Sequence, residues 1–393
     1  MTSSTTRRDA SIDPGASTLT GVEAGVESAT RPATRPATRP ATRPATTIAD
    51  TTNTTDAVQT ILITGAGGEM GHGLLEALDT GDSRRIVALD RQALDEDRRR
   101  HCHESVELDV RDGEALSALL TRYDFDVVFH LAAILSTGGE MNPALAHEVN
   151  VDGTWGLMHR LGDQVQRTGK PVRFLLPSTI AVHGLPDLAT KNEFGPLLES
   201  QWCEPATMYG CNKLYAEHLG RYLSTAYRSL APDRGVAPLD FRSIRFPGII
   251  SAETMPTGGT SDYGPEMLHA AARGQAYECF VRPDARIPFM TMPEAIDALL
   301  KLADAPESAL KRRVYGVRSF SASAEELAGE VRRAFPSASI AYRPHPVRQA
   351  IVDSWPADLD DSAARDDWGW RPRWTMEEAF DEYLVRGIRR RYA

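Results

Sequence analysis

A doubly wound parallel α/β sheet with a smaller C-terminal lobe is the fold class that this sequence predicts, and two observations predict it. Short apolar runs alternate with helical stretches from Thr60 to about residue 250, and a glycine-rich turn stands directly behind the first run. The runs are Ile61-Leu62-Ile63, Ile86-Val87-Ala88-Leu89, Val127-Val128-Phe129-His130-Leu131, Phe174-Leu175-Leu176 and Ile244-Arg245-Phe246, several of them rich in β-branched residues. Such short, continuous runs suit parallel strands buried on both faces. Between them, Glu69 to Asp79, Asp112 to Arg122 and Leu145 to Val165 read as helices, and this alternation specifies a sheet covered by helices on both sides. Crossovers between parallel strands are right-handed, so the loops at the strand carboxyl ends converge on one rim where a ligand can bind. After about residue 250 the alternation fails, and Pro256 to Gly264 and Pro283 to Pro293 read as loops rich in Gly and Pro. The expected division is therefore a main domain over residues 58–250 and a substrate-binding lobe over 251–393, with segments crossing between them.

Residues 1–57 read differently. They are rich in Thr, Ala, Ser and Pro, and residues 31–46 are four copies of Arg-Pro-Ala-Thr. Regularly spaced prolines remove backbone donors and favour extended, solvated chain, so a disordered low-complexity tail is expected. Its acidic residues balance its arginines and count against a targeting presequence. The remainder then carries the net charge of -10, which argues against a nucleic-acid partner, since that affinity depends on neutralising phosphates. A chain of 393 residues can bury a large core without disulfides or metals. Cys102, Cys203, Cys211 and Cys279 are widely separated, with no spacing that suggests a disulfide framework or a zinc site, and a reducing cytoplasm fits them. His101 and His103 flank Cys102 without a second ligand pair, so a surface loop and no metal is expected there. No apolar run approaches the roughly 18 residues of a membrane span, and the N-terminus lacks the apolar centre of a secretory signal. A soluble cytoplasmic protein is the expectation.

The glycine-rich turn is Thr64-Gly65-Ala66-Gly67-Gly68-Glu69-Met70-Gly71, between a strand and a helix. Gly65 can take a tight turn, Gly68 lets backbone approach a pyrophosphate, and Gly71 allows close helix packing. The helix that opens at Glu69 and Met70 presents free N–H groups to negative phosphate. The second strand ends at Asp90, where a carboxylate can accept hydrogen bonds from an adenosine ribose and would repel a 2'-phosphate, which favours NAD over NADP. Leu108-Asp109-Val110 ends a third strand, and His130-Leu131-Ala132-Ala133 ends a fourth with small residues against which a cofactor can press. His130 reads as a packed or ribose-side histidine rather than a base or metal ligand. These features together describe a Rossmann-type dinucleotide site.

Tyr209-Gly210-Cys211-Asn212-Lys213 places a phenol and an ammonium four residues apart, on one face of a helix. A nearby cation favours phenolate, and the positive charge of an oxidised nicotinamide acts in the same sense. Tyr209 then becomes a base near neutrality. A hydroxyl should stand at the end of the preceding strand to hold the substrate oxygen, and Ser178 and Thr179 are both candidates, about 30 residues upstream of Tyr209.

With these residues in view, the sequence resembles the extended short-chain dehydrogenase/reductase family, that of the NAD-dependent epimerases and dehydratases. The resemblance rests on the TGxxGxxG run at Thr64, Asp90, Leu131-Ala132-Ala133, Asn150, Thr179 and Tyr209-x-x-x-Lys213. It implies that Thr179 orients the substrate oxygen, Tyr209 acts as acid or base, Lys213 binds the nicotinamide ribose, and Asn150 matches the asparagine that opens a family helix. Longer blocks are similar to the L-threonine 3-dehydrogenase branch: Leu131 to Ser136 with Asn142-Pro143, Arg245 to Ser251 with Gly258 to Tyr263, Tyr277 to Pro293, and Ala350 to Trp370. That resemblance places Ser136, Thr179, Thr207, Tyr209 and Thr260 around an amino acid, with Pro247 and Gly248 against the nicotinamide end. The implied reaction is oxidation of the 3-hydroxyl of L-threonine to 2-amino-3-oxobutyrate. A homodimer through the helices Leu145 to Val165 and Lys213 to Leu230 is likewise implied.

Several positions depart from the branch pattern. Thr179 stands in place of serine, His183 in place of Phe or Tyr, Thr257 in place of Gly, and Ser261 in place of Thr, while Gly184 to Pro205 and Ser224 to Asp240 are longer than expected. The alternatives are therefore another β-hydroxy amino acid as substrate, a nucleotide-sugar 4-epimerase or dehydratase, and a non-catalytic NAD(H) sensor.

Overall fold

The computed structural model describes Val58–Ala393 except Thr80, Asp82, Arg234, Val236 and Thr257. The expected N-terminal tail and the departure at Thr257 lie outside the described residues. Fourteen strands are found among those described: β1 (Gln59–Thr64), β2 (Arg84–Asp90), β3 (Glu104–Glu107), β4 (Val127–His130), β5 (Val172–Thr179), β6 (Pro196–Leu197), β7 (Leu239–Phe246), β8 (Gly248–Ile250), β9 (Tyr277–Cys279), β10 (Arg286–Thr291), β11 (Val314–Gly316), β12 (Phe320–Ser323), β13 (Ile340–Tyr342) and β14 (Asp358–Leu359).

Seven of these form one parallel sheet in the order β11-β7-β5-β4-β1-β2-β3. Side chains alternate across a strand, and here the alternation sorts one apolar run between two cores. Ile61, Ile63, Ile86, Ala88, Val127 and Phe129 enter the core under the helices Glu69–Leu78 and Met292–Asp304. Leu62, Val87, Leu89, Val128, Phe174 and Leu176 enter the opposite core, under Gly113–Arg122 and Thr154–Thr168. Each fully buried Val, Leu, Ile or Phe among them contributes roughly 1.5–3 kcal/mol, which is why these runs are so largely apolar. The strand order reverses between β1 and β4, the switch point at which a doubly wound sheet takes a ligand beyond the carboxyl ends of its strands.

A third core gathers around the small sheet β12-β10-β8 and the helices Tyr263–Ala272 and Ala324–Ala334. Only Pro247 separates β7 of the large sheet from β8 of the small one. The chain beyond residue 250 is not one continuous lobe: β11 pairs with β7 in the large sheet, and Met292–Asp304 packs on its face.

Three elements differ from the sequence expectation. The stretch Pro283 to Pro293, read as a loop, contains β10. Its Pro288 is tolerated because that position pairs only with β12, whereas pairing to β8 begins at Phe289. The third strand ends at Glu107, before Leu108. The continuous helix expected over Leu145 to Val165 is a short helix Pro143–His147, a π turn Glu148–Gly153 and a helix Thr154–Thr168. The wider turn carries Asn150, whose side chain is needed elsewhere, as π turns at functional sites often do.

Candidate active site

The turn behind β1 is shaped by close approach. Gly65 has φ +70°, and a Cβ there would lie 2.6 Å from the backbone nitrogen of Ala132, so β1 and the loop behind β4 touch through bare backbone. Gly68 N donates to Gly65 O at 3.1 Å, closing the turn. A Cβ on Gly71 would stand 2.6 Å from Ala66 O, so the helix abuts its own entry turn. Gly68 is the N-cap and has no side chain to bond the first-turn donors of Glu69–Leu78. The N–H groups of Glu69, Met70 and Gly71 have no acceptor within the helix and are available to an anion.

Asp90 lies beside this turn. Its Oδ2 accepts from Gly67 N at 2.8 Å and its Oδ1 from Gln92 N at 3.1 Å, and each oxygen keeps acceptor capacity for a hydroxyl. Asp109 is committed to Arg111: the guanidinium bonds it at 2.8 and 3.1 Å, the backbone N of Arg111 bonds it at 2.9 Å, and these contacts hold its carboxyl below the usual range. Val110 is buried beneath it. His130 is packed, with Nδ1 2.8 Å from Thr64 Oγ1 and Nε2 2.9 Å from Thr154 Oγ1. Burial first, and the nearby Lys213 second, push it down to about 3, so it is a neutral link between two threonines. Asn150 clamps the loop that carries Leu131, Ala132 and Ala133: it accepts from Ile134 N at 2.8 Å and donates to Ile134 O at 2.9 Å. Its amide also reaches Asn212 Oδ1 at 3.3 Å, so it ties this loop to the helix bearing Tyr209. The set fits a dinucleotide: a cradle that any Cβ would fill, free helix-terminal donors, and a carboxylate at the end of the second strand.

Glu69 engages its carboxyl with the turn behind β8. It bonds Ser251 and Thr254, while burial, chiefly, and the neighbouring Glu253 and Asp262 raise it above the usual carboxylate value. One of its oxygens, Oε1, is buried without a partner.

The helix Met208–Arg221 starts at Thr207, whose hydroxyl accepts from Gly210 N at 3.1 Å, and Glu140 accepts from Met208 N at 2.8 Å. A Cβ on Gly210 would meet Ala181 O at 2.1 Å, so the helix is pressed onto the turn that follows β5. Lys213 Nζ lies 5.8 Å from the centre of the Tyr209 ring. The ammonium is buried and pushed down to about 8 by that burial, against the opposing pull of Glu217. The phenol is pushed up, and burial is the cause. Burial of the ring acts against ionisation, opposite in sense to the cations expected to favour phenolate, Lys213 and an oxidised nicotinamide.

The alternation along β5 separates its two hydroxyls. Ser178 turns inward and donates to Glu217 Oε1 at 2.5 Å, whereas Thr179 Oγ1 accepts from Ala181 N at 3.1 Å and keeps its proton to donate. Ser136 opens a short helix (Ser136–Met141) whose Gly139 packs against Tyr209; a Cβ there would be 3.7 Å from Tyr209 N. Thr260 Oγ1 reaches Ser136 Oγ at 3.5 Å, and Thr137 Oγ1 donates to Gly258 O at 2.5 Å, so the segment Gly258–Asp262 closes over this helix. Gly248, directly behind Pro247, has no room for a side chain: a Cβ would be 2.7 Å from the Phe289 ring and 3.4 Å from Ser261. Thr207 is engaged as a helix cap and is nearly inaccessible.

Sequence reasoning missed Glu140, which caps the Tyr209 helix, and a buried group made of Ser178, His183, Glu217 and Arg245. The signal was present, since Glu217 stands four residues beyond Lys213 on the same helix face. His183, the departure from an aromatic residue, is fully buried with Nδ1 2.8 Å from Gln201 O and Nε2 3.4 Å from Arg245. No group of three or more His, Cys, Asp or Glu among the described residues is arranged to hold a metal ion.

Residues 61–317 match the family described as "NAD dependent epimerase/dehydratase family". The chain is 35% identical over 325 residues to "L-threonine 3-dehydrogenase, mitochondrial" of Bos taurus, covering 81% of this chain and 80% of that protein. A "Monomeric L-threonine 3-dehydrogenase from metagenome database (apo form)" is 34% identical, with TM-score 0.70 over 85% of this chain and 100% of that one. The "GalE-like L-Threonine dehydrogenase from Cupriavidus necator (holo form)" is 32% identical, with TM-score 0.72 over 83% of this chain and 99% of that one.

Proposed function

Because the chain belongs to the NAD dependent epimerase/dehydratase family and is an NAD-dependent oxidoreductase, we propose that it oxidises the 3-hydroxyl of L-threonine to 2-amino-3-oxobutyrate. The observation that carries this reading is the meeting of Ser136 and Thr260 beside the helix turn that packs on Tyr209. It sets two hydroxyls close to the helix that carries the phenol, an arrangement suited to a compact zwitterion.

In this reading Thr179 donates its proton to the substrate oxygen and aims it at Tyr209. The Tyr209 phenolate removes the hydroxyl proton, Lys213 stabilises that phenolate and holds the ribose nearest the reaction, and Ser136 and Thr260 orient the amino acid. Gly65, Gly68, Glu69, Met70 and Gly71 hold the pyrophosphate through backbone, and Asp90 holds the adenosine ribose and selects NAD over NADP. Asp109, Val110, Leu131, Ala132, Ala133 and Pro247 form the walls, and Asn150 acts on that site through the loop it clamps. When bound, NAD supplies the ring that accepts hydride from C3. Burial that raises the Tyr209 phenol makes its ionisation depend on added positive charge nearby, so proton removal is confined to the loaded site.

Initial rates of NADH formation with L-threonine, its diastereomer, serine and larger 3-hydroxy amino acids test the proposal, with NADP as the alternative cofactor. Turnover of threonine with NAD supports it, and none at high enzyme concentration refutes it. A second reading is another β-hydroxy amino acid, motivated by Thr179, which brings an added methyl group to the site. A nucleotide-sugar epimerase would give no net NADH in the same assay.

The division into a cofactor domain over 58–250, joined by β11, and a substrate lobe over most of 251–393 is part of this reading. So is a cytoplasmic location, supported by four free cysteines; no helix among the described residues is long and apolar enough to cross a membrane. A homodimer is supported by Trp155, Tyr215 and Tyr222, aromatic residues exposed on the two helices expected to pair. Light scattering on the purified protein decides between this and the monomer that the metagenomic relative's name records.

A further inference from the structure

Behind the Tyr209 and Lys213 pair the same helix carries a third polar side chain. Tyr209, Lys213 and Glu217 are spaced by four residues along Met208–Arg221, which sets them in one stripe. Lys213 and Glu217 are 5% and 2% exposed, and charged groups are almost never so buried unless paired. Glu217 is satisfied in full view of its neighbours: Oε1 accepts from Ser178 Oγ at 2.5 Å and from Arg245 Nε at 2.9 Å, and Oε2 accepts from Arg245 Nη2 at 2.6 Å. Its oxygens are thus spent on Ser178 and Arg245, and it acts on Lys213 through space.

Arg245 is held in turn. Nη1 donates to Glu199 O at 2.6 Å and faces Cys203 Sγ at 3.6 Å and His183 Nε2 at 3.4 Å. A carbonyl can only accept, so the 2.8 Å contact of His183 Nδ1 with Gln201 O puts the ring hydrogen on Nδ1 and leaves Nε2 as an acceptor for Arg245. The ring therefore adds no positive charge, in keeping with burial that pushes it down to about 3. On the other side, the neutral His130 faces Lys213 from β4. Glu217 is the anion that acts on Lys213, and Arg245 is the cation that fixes its carboxylate.

We propose that Glu217 is the positioning residue that keeps Lys213 in its cationic form inside the apolar site, with Ser178, Arg245 and His183 fixing its carboxylate in place. A buried ammonium tends to lose its proton, and a neutral Lys213 would neither stabilise the Tyr209 phenolate nor hold a ribose hydroxyl as a charged donor. The neutral acceptor at His183 matters for the same reason, since a second cation there would draw Glu217 away from Lys213. This inference rests on Tyr209 and Lys213 being the reacting pair, but not on which substrate they serve.

The test reads Lys213 directly. The chain has only five lysines, Lys170, Lys191, Lys213, Lys301 and Lys311, so the pH titration of lysine ¹³Cε resonances in the full-length protein resolves each, with Lys213 assigned by its loss in Lys213→Arg. In Glu217→Gln the Lys213 midpoint should fall by about 1–2 pH units, while Glu217→Asp, which keeps the charge, should stay near the native value. The pH profile of kcat/KM should narrow from both sides, the acid limb moving up as Tyr209 loses its cation and the alkaline limb moving down with Lys213. If Glu217→Gln does not fold, the double variant Glu217→Gln/Arg245→Met, which removes the buried guanidinium together with its partner carboxylate, must still show a fall, a smaller one because a cation leaves with the anion. An unmoved Lys213 midpoint in whichever of these folds overturns the proposal. That outcome needs no turnover, so it is distinct from failure of the threonine reading.

Discussion

Replacing Gly65 by alanine probes the contact on which the cofactor crevice is built, and the chain contains its own control. Two separate penalties act at this position. The residue sits at φ +70°, where an L side chain is disfavoured by roughly 1–2 kcal/mol. The new methyl would also lie 2.6 Å from Ala132 N, 2.8 Å from the Leu131 carbonyl carbon and 2.9 Å from Ala132 Cα. These are backbone atoms of the adjacent strand's loop and cannot rotate away, so overpacking adds about 1–3 kcal/mol. Gly169 has nearly the same torsion, φ +71°, with nothing within 4 Å of its Cβ position, and Gly169→Ala therefore isolates the first penalty. At about 2 cal/mol/K of unfolding entropy per residue, each kcal/mol moves Tm by roughly 1.5 °C for a folded unit of this size. Gly65→Ala should lower Tm by about 3–7 °C and Gly169→Ala by about 1–3 °C in calorimetry. Titration calorimetry with NAD should show at least a tenfold loss of affinity for the first and none for the second, because only the first displaces Leu131 and Ala132. If the two variants lose the same stability, or if Gly65→Ala binds NAD normally, the close approach of β1 and the β4 loop does not shape the site.

Three further outcomes follow from the geometry. Tyr209→Phe should lower kcat by at least about a hundredfold while NAD affinity changes less than about threefold, since removing a general base costs on the order of 10²–10⁴ in rate; stopped-flow turnover and calorimetry separate the two. Thr179→Ser keeps the donor and should hold kcat within about threefold, whereas Thr179→Ala should lose about a hundredfold in kcat/KM, the range for one oriented donor. The carboxyl of Glu69 is raised in the folded protein, so its folding contribution is intact below its unfolded value and is lost as pH rises through the folded one. Glu69→Gln removes that loss, and its Tm should exceed the native protein's by about 1–2 °C at pH 8 and by nothing measurable near pH 4. A Tm difference that shrinks with rising pH would refute the burial of this carboxyl.

Much of the candidate site was legible because its geometry is local. A phenol and an ammonium four residues apart share a helix face wherever the helix lies, and the glycines behind β1 declare a turn that no Cβ permits. The hydroxyl at the end of β5 was legible as a pair of candidates only. Which one faces the site depends on the phase of the strand against the sheet, and the structure turns Ser178 inward to Glu217 and leaves Thr179 outward. Asn150 was legible as a residue near a helix start; that its amide clamps Ile134, and so shapes a loop 16 residues away, depends on a π turn no periodicity announces. β10 was hidden because Pro288 reads as a breaker, and only its one-sided pairing makes it tolerable.

By itself the sequence determined the doubly wound class, the tight glycine turn behind β1 and the shared helix face of Tyr209 and Lys213, because apolar runs, glycine spacing and helical spacing act over a few residues. Tertiary structure alone decided the electrostatics of that pair. Burial, which depends on every element packed around the site, raises the phenol of Tyr209 and lowers the ammonium of Lys213, and it brings Glu217, Arg245 and His183 together from three parts of the chain. Desolvation is a property of the assembled volume, and no window of sequence contains it.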